Sequence, residues 1–193
     1  MKINNITKKN VSNHIELLNK DIGQIEKKVS DLSKQIISCI KKNGKLLIFG
    51  NGGSAADAQH FATELTVRLK ENRIALPALS LATDTSAITA IGNDLGFKFL
   101  FKRQLEALAN KNDLVIAIST SGKSANVIEA IKYSKKNKIK TFGILGNKGG
   151  NVKKNCHDYF IVSSDNASRI QEIHIIFWQT VCEIVENYYA KKK

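Results

Sequence analysis

Residues 46–65 read LLIFGNGGSAADAQHFATEL, an apolar run that enters a glycine loop and then a helical pattern. An apolar run followed by glycines and a helix is typical of a strand, loop and helix unit in an α/β protein. Gly52 and Gly53 permit positive φ and close approach, so successive backbone N–H groups could point at an anion beside the positive end of the helix. The stretch therefore predicts an anion-binding loop of the kind that takes a phosphate.

The helix after this loop carries two side chains that can bind a metal. His60 and Glu64 are four residues apart, which makes them neighbours on one helical face. An imidazole and a carboxylate so placed could hold zinc or perform acid–base chemistry. Ordinary structural roles also fit, because His60 and Glu64 could be a surface pair and Ser54 with Asp57 fits a variant capping box in which Ser54 is the N-cap.

A second strand, loop and helix unit follows at residues 113–124, DLVIAISTSGKS. Hydroxyl donors at the start of a helix suit a phosphate ester, although they could equally be cap and turn residues. The hydroxyl residues are Ser119, Thr120, Ser121 and Ser124. Residues 117–124 also come close to a nucleotide-binding P-loop, but alanine replaces its first glycine and no strand ends in a magnesium-binding aspartate, so we treat the match as fortuitous.

The pattern along the chain predicts an α/β fold, a three-layer sandwich in which helices flank a central five-stranded parallel sheet. Apolar segments that predict strands lie at 46–49, 78–82, 114–118, 141–145 and 159–162. A helical stripe from Val11 to Cys39, interrupted at Gly23 and ended by Asn43-Gly44, forms a long N-terminal helical region at 1–44. We expect one domain over residues 1–193.

A final helix is predicted from about Ala167 to Tyr189 and is apolar around much of its girth. This helix and the N-terminal stripe have more apolar surface than one small sheet needs to cover. An oligomer is the natural way to bury the excess, although both helices could instead pack entirely within their own subunit.

Composition limits the classes of function. The 193 residues are 42% hydrophobic without an apolar run near 18, which argues against disorder and a membrane span. The net charge of +13 comes from scattered lysines without interleaved aromatics, so we expect a solvated surface and no nucleic-acid partner. Three widely spaced cysteines and an N-terminus without the apolar core of a secretion signal predict reduced thiols and a cytoplasmic location.

In one order, GNGGSAADAQHFATEL, TAIGNDLGF, ISTSGKSANV and RIQEIHI resemble the phosphoheptose isomerases of the sugar isomerase (SIS) domain family. The resemblance spans nearly the whole chain. It implies aldose–ketose isomerisation of sedoheptulose 7-phosphate to D-glycero-D-manno-heptose 7-phosphate, a step of carbohydrate metabolism toward bacterial surface heptose in lipopolysaccharide or capsule. It also implies a cytoplasmic homotetramer with active sites at subunit contacts.

The resemblance also implies the site residues. Glu64 is the expected base, and one zinc ion per subunit is expected on His60, Glu64 and Gln171. The implied contacts of the phosphorylated seven-carbon sugar are Asn51, Gly52, Gly53, Glu64, Asn93, Asp94, Ser119, Thr120, Ser121, Ser124 and Gln171. From the residues alone, Gly92-Asn93-Asp94 could equally be a turn.

The sharpest departure from the family is Gln179, which stands eight residues after Gln171 where relatives have histidine. A carboxamide is a weak zinc ligand and cannot relay protons, so both the catalytic and the metal role of Gln179 are weakened. Residues eight apart in a straight helix are roughly 12 Å apart along its axis, so we predict that two subunits complete each site. His174 is expected to be a packed, hydrogen-bonded histidine and not a substitute.

Two other classes of function remain open from the sequence. One is a non-catalytic SIS tetramer that binds a protein partner, such as the replication initiator that one bacterial relative binds. The other is a sugar-phosphate sensor that uses the same loops without turnover.

Overall fold

The computed structural model of the protein describes residues 3–190, with side chains from residue 5 onward. The helices are α1 (Ile3–Lys41), α2 (Gly53–Thr66), α3 (Thr85–Asp94), α4 (Leu100–Leu108), α5 (Ala125–Lys136), α6 (Gly150–Asn155) and α7 (Ala167–Ala190), with a 3-10 turn at Phe97–Phe99. The strands are β1 (Leu46–Phe49), β2 (Ala78–Ser80), β3 (Leu114–Ser119), β4 (Lys140–Gly146) and β5 (Asp158–Val162).

The strands form one sheet in the order β2-β1-β3-β4-β5, and every neighbouring pair is parallel. Every residue of the central strands β1 and β3 is buried, which is why these strands read as continuous apolar runs and not as alternating patterns. The predicted five-stranded parallel sheet is confirmed. Only β2 is shorter than expected, since it ends at Ser80 and not at residue 82.

Two apolar cores cover the two faces of the sheet. Successive strand residues point to opposite faces, so Leu46 and Ile48 belong to the core formed with α1, α2 and α7, whereas Leu47 and Phe49 belong to the core formed with the helices from α3 to α6. The three-layer arrangement is therefore confirmed.

The reversal of strand order between β1 and β3 positions the two predicted loops. After β1 the chain enters α2 on one face, and after β3 it enters α5 on the other face. In open α/β sheets this opening, at the carboxyl ends of the strands, is where ligands bind. The loops at residues 50–53 and 119–124 flank it.

Helix α1 runs without a break through Gly23, which is exposed and has no atom within 4 Å of an added Cβ. The predicted end of the helix is confirmed, because Asn43 adopts the left-handed φ of 57°. Core contacts begin at Leu17, while Val11 and Ile15 on the preceding turns are about half exposed. Among the described helices, none combines the length and apolar composition that crossing a bilayer requires.

Candidate active site

The glycine loop forms the N-terminus of α2. Gly52 has φ of 55° and ψ of −122°, a conformation that glycine adopts readily, and its carbonyl accepts the amides of Ala55 and Ala56. The predicted capping box is wrong: Gly52 is the N-cap, whereas Ser54 lies inside the helix, buried, and caps nothing. The amide of Ser54 donates to the carbonyl of Asn51 at 3.0 Å. Within the described residues, the amides of Gly52 and Gly53 are therefore the ones left at this end of α2 for a ligand.

The hydroxyl loop contains two kinds of residue. Ser119 Oγ accepts the amide of Gly122 at 3.1 Å and Ser121 Oγ accepts that of Lys123 at 3.2 Å, so these two side chains shape the turn. Within the described residues, the hydroxyls of Thr120 and Ser124 have no hydrogen-bond partner. Ser124 is the N-cap of α5 but makes no side-chain cap bond. Thr120 and Ser124 are therefore the hydroxyls best able to donate to an anion.

Two reciprocal hydrogen bonds join the loops. The amides of Asn51 and Asn126 exchange Nδ2–H···Oδ1 bonds of 2.9 Å each, and Asn126 Oδ1 also accepts the amide of Val127 at 2.9 Å. Asn126 is only 2% exposed. The sequence did not point to this residue; its only signal is a polar side chain on the buried side of an amphipathic helix.

Gln171 of α7 lies directly against the glycine loop. A Cβ added to Gly53 would be 2.2 Å from Gln171 Nε2, so glycine at position 53 is what lets the carboxamide approach the start of α2. The opening between β1 and β3 is thus bordered by three elements: two helix N-termini and the side chain of Gln171.

The predicted His60–Glu64 pair is formed two turns further along α2. His60 Nε2 and Glu64 Oε1 are 2.8 Å apart, and the Glu64 side chain is 16% exposed against 51% for His60. The His60 ring packs edge-on against Trp178 of α7, with ring centroids 4.8 Å apart, and Trp178 in turn stacks on Phe61. Trp178 is a site residue that sequence reasoning missed.

Helices α2 and α7 meet at two separate places in the site. Gly53 meets Gln171 and His60 meets Trp178, seven residues later in both helices, so the two contacts are roughly 10 Å apart along the helix axes. Within residues 3–190, no three histidine, cysteine, aspartate or glutamate side chains converge on a point that could hold a metal. His60 and Glu64 together offer two suitable zinc donors.

The remaining predicted residues make no hydrogen bond to these clusters within the described part of the chain. Gln179 is half-buried next to Trp178 and has no hydrogen-bond partner in the described part of the chain. Asn93 and Asp94 are exposed at the end of α3, not in a turn, and their side chains bond to each other at 2.7 Å. No hydrogen bond or ion pair among the described residues connects them to the loops.

Asp57, which the sequence suggested only as a cap residue, is a buried titratable group at the site. It lies one turn before His60, is 8% exposed, and its Oδ2 has no partner within residues 3–190. Burial raises the pKa of Asp57 to about 6, and the nearby imidazole of His60 opposes part of that rise.

His174 is confirmed as a packed histidine. It is fully buried, and its Nε2–H donates to the carbonyl of Leu145 at 3.0 Å. Burial lowers the pKa of His174 to about 4, so the ring is neutral at physiological pH.

This fold and this arrangement of loops define a class of protein. The family model described as SIS domain matches residues 11–146, and the chain belongs to that family. A phosphoheptose isomerase of Campylobacter jejuni subsp. jejuni serotype O:6 (strain 81116 / NCTC 11828) is 52% identical over 165 residues, 86% of this chain and 87% of that protein. Within the SIS family, the chain therefore groups with the phosphoheptose isomerases, as its motifs predicted.

Solved structures agree with this placement. The structure of a phosphoheptose isomerase from Neisseria gonorrhoeae superposes with a TM-score of 0.90 at 35% identity, covering 96% of this chain and all of that one. The structure of a phosphoheptose isomerase from Francisella tularensis gives 0.93 at 30% identity, covering 97% of this chain and all of that one.

Proposed function

We propose that the protein is an aldose–ketose isomerase that converts sedoheptulose 7-phosphate to D-glycero-D-manno-heptose 7-phosphate. The observation that carries the proposal is the hydrogen-bonded His60–Glu64 pair on the same helix whose N-terminus forms the glycine loop. This places an acid–base pair and an anion site on one rigid element. The named relatives supply the identity of the sugar.

The phosphate of the substrate would bind at the opening between β1 and β3. The amides of Gly52 and Gly53 and the hydroxyls of Thr120 and Ser124, which have no partner within the described residues, are donors suited to a dianion. The side chain of Gln171 borders the same opening as the amides of Gly52 and Gly53. The sugar carbons nearest the phosphate would therefore lie next to Gln171.

Glu64 would move the proton. In this reaction a base takes a proton from the carbon bearing the hydroxyl, and the two carbons become an enediolate. The base returns that proton to the former carbonyl carbon, while the hydroxyl proton moves to the former carbonyl oxygen. A carboxylate that is 16% exposed and held by a hydrogen bond from an imidazole is protected from bulk water and fixed in direction. Atoms balance because the reaction is internal to the sugar.

Zinc is part of the proposal. His60 and Glu64 would supply two of its donors, and Gln171 and Gln179, one of them from another copy of the chain, would supply weaker ones. When bound, the ion would polarise the carbonyl and hydroxyl oxygens of the substrate. Metal content after purification in zinc, compared between wild type and His60→Ala, tests this part, and equal content in both would contradict it.

A homotetramer with sites at subunit contacts fits the surfaces that one chain leaves uncovered. Val11, Ile15 and Ile22 form an apolar stripe on the outer face of α1, and Ile176 and Ile184 are partly exposed on α7. Stripes of this kind on long helices are the usual means of helix association. Sedimentation at micromolar concentration gives the oligomeric state directly.

We place the reaction in the cytoplasm, on the route to bacterial lipopolysaccharide or capsule heptose. The non-catalytic alternatives, a partner-binding tetramer or a sugar-phosphate sensor, are not favoured by relatives that are named as isomerases at about half identity. A variant at Gln179 would distinguish the isomerase from these alternatives, because a carboxamide cannot relay a proton and histidine can.

The experiment is an NMR assay of the zinc-supplemented protein with sedoheptulose 7-phosphate. Aldose signals should appear with wild type and disappear with Glu64→Gln. Gln179→His is assayed beside them: activity only in that variant would identify a disabled isomerase. Tight phosphate-ester binding without turnover in all three proteins would instead favour a sensor.

A further inference from the structure

The last turn of α2, which carries Glu64, is held by a buried arginine. Helix ends normally fray because their last carbonyls have no donor within the helix. Here the carbonyl of Glu64 accepts a hydrogen bond from Arg73 Nη2 at 2.6 Å, while Arg73 Nη1 donates to the carbonyls of Ile74 and Val67 at 2.9 and 3.3 Å. The Arg73 side chain is fully buried. A cation at this end also complements the helix dipole.

Glu186 of α7 supplies the opposite charge. Its carboxylate lies 3.9 Å from Arg73 Nη2 and accepts the amides of Leu69 and Lys70 at 2.7 Å each, and that of Glu71. Burial alone would raise the pKa of Glu186, but the three amide hydrogen bonds and the charge of Arg73 outweigh it and lower the pKa. Glu186 is therefore ionised opposite Arg73, whose two Nη atoms are hydrogen-bonded while its buried Nε has no partner within the described residues.

Both members of the acid–base pair are thus held by the same helix, α7. The ring of His60 packs on Trp178 of α7, and the main chain of Glu64 is tied through Arg73 to Glu186 of the same helix. Trp178 and Glu186 are eight residues apart in α7, a rigid separation of roughly 12 Å.

We propose that Arg73 and Glu186 are positioning residues that hold the last turn of α2, so that the Glu64 carboxylate stays beside His60 and in position for proton transfer. The expected fall in kcat rests on the proposed isomerase function, whereas the expected shift in the position of Glu64 does not. Neither residue touches the proposed substrate site.

Two variants test the proposal. Glu186→Gln keeps the size of the side chain but cannot accept all three amides, and Arg73→Lys keeps the charge but replaces the planar fork with one nitrogen. In both we expect kcat to fall by about 10- to 100-fold, from a displacement of Glu64 of up to about 1 Å, with KM within about 3-fold of wild type. The matched control is Glu183→Gln, which removes only the exposed Lys70–Glu183 pair between the same loop and the same helix.

The second measurement does not depend on activity. In metal-free protein, ring 15N shifts of labelled histidine report the bond from His60 to Glu64, and Glu64→Gln provides the reference for its loss. The ring shifts of Glu186→Gln should move toward that reference, and those of Glu183→Gln should not. Folded Glu186→Gln and Arg73→Lys with wild-type ring shifts and kcat would overturn the proposal. If wild type proves inactive, the isomerase function fails and the ring shifts still decide the positioning role; if Glu186→Gln does not fold, Arg73→Lys decides it.

Discussion

Replacing Gly53 by alanine should separate activity from stability. The added Cβ would be 2.2 Å from Gln171 Nε2, while an ordinary contact starts at 3.4 Å. The neighbour is the end of a flexible side chain and not main chain, so the carboxamide can move away by more than about 1 Å without unfolding the protein. The backbone N–H of residue 53 is retained, so the proposed anion contact is not removed.

Activity should fall in this variant, while the stability of the fold should rise slightly. A misplacement of about 1 Å at a group that contacts substrate costs up to about 100-fold in rate, and we expect kcat/KM to fall by 10- to 100-fold on that basis. Gly53 has no positive φ, so alanine reduces the entropy of the unfolded chain and stabilises the fold by about 0.4–1 kcal/mol, less the cost of moving Gln171. The melting temperature should stay within about 4 °C of wild type.

The assay is the rate of aldose formation together with thermal unfolding, and a double-mutant cycle gives the control. In a Gln171→Ala background there is no carboxamide to displace, so adding Gly53→Ala should change kcat/KM by less than about 2-fold. Gly23→Ala, in the open middle of α1, gives the effect of the same chemical change away from the site. Wild-type kcat/KM in Gly53→Ala, or an equal loss with and without Gln171, would refute the reasoning.

Three further substitutions test the buried polar groups and the loop contacts. Asp57→Asn should stabilise the fold by roughly 1–3 kcal/mol at pH 7.5, because a pKa raised from 3.8 to about 6 makes ionisation of Asp57 costly to the folded state. Wild type regains that stability as the pH falls through 6, so the melting temperatures of the two proteins should converge near pH 4. A difference that stays constant with pH would contradict this. Asn126→Ala should lower stability in urea by about 1–3 kcal/mol, since it strands the side chain of Asn51, whereas Asn137→Ala on the surface should cost little. Gly122→Ala should cost at least about 2 kcal/mol, because φ is +62° and its Cβ would be 2.1 Å from the carbonyl oxygen of residue 149; a wild-type urea midpoint would show that the loop adjusts freely.

The fold could be predicted from the sequence because its elements have local signatures. Buried parallel strands are continuous apolar runs, and each of the five runs became a strand within about two residues of its predicted ends. The end of α1 at Asn43 and the extent of α7 follow in the same way from turn chemistry and helical periodicity. Ser54 misled because serine before a helix is the commonest cap signal, and glycine at position 52 already served that purpose.

From local sequence pattern the site could be predicted only where its residues lie close together in sequence, and Gln171, which lies against Gly53, came from the family resemblance. His60 and Glu64 are four apart and meet in the structure as expected. The contacts Asn51–Asn126 and Arg73–Glu186 join residues 75 and 113 positions apart, and no periodicity or motif announces such pairs. Their partners are determined by which helices the sheet topology places side by side.

The parallel course of α2 and α7 separates Gln179 from the glycine loop. Gln171 is fixed at the glycine loop, and Gln179 is two turns further along, beyond the indole that supports His60. No hydrogen bond within the described residues connects Gln179 to either the loops or the His60–Glu64 pair. On the proposed function, we therefore expect the glutamine at position 179 to affect proton transfer and metal affinity more than the binding of a phosphorylated sugar.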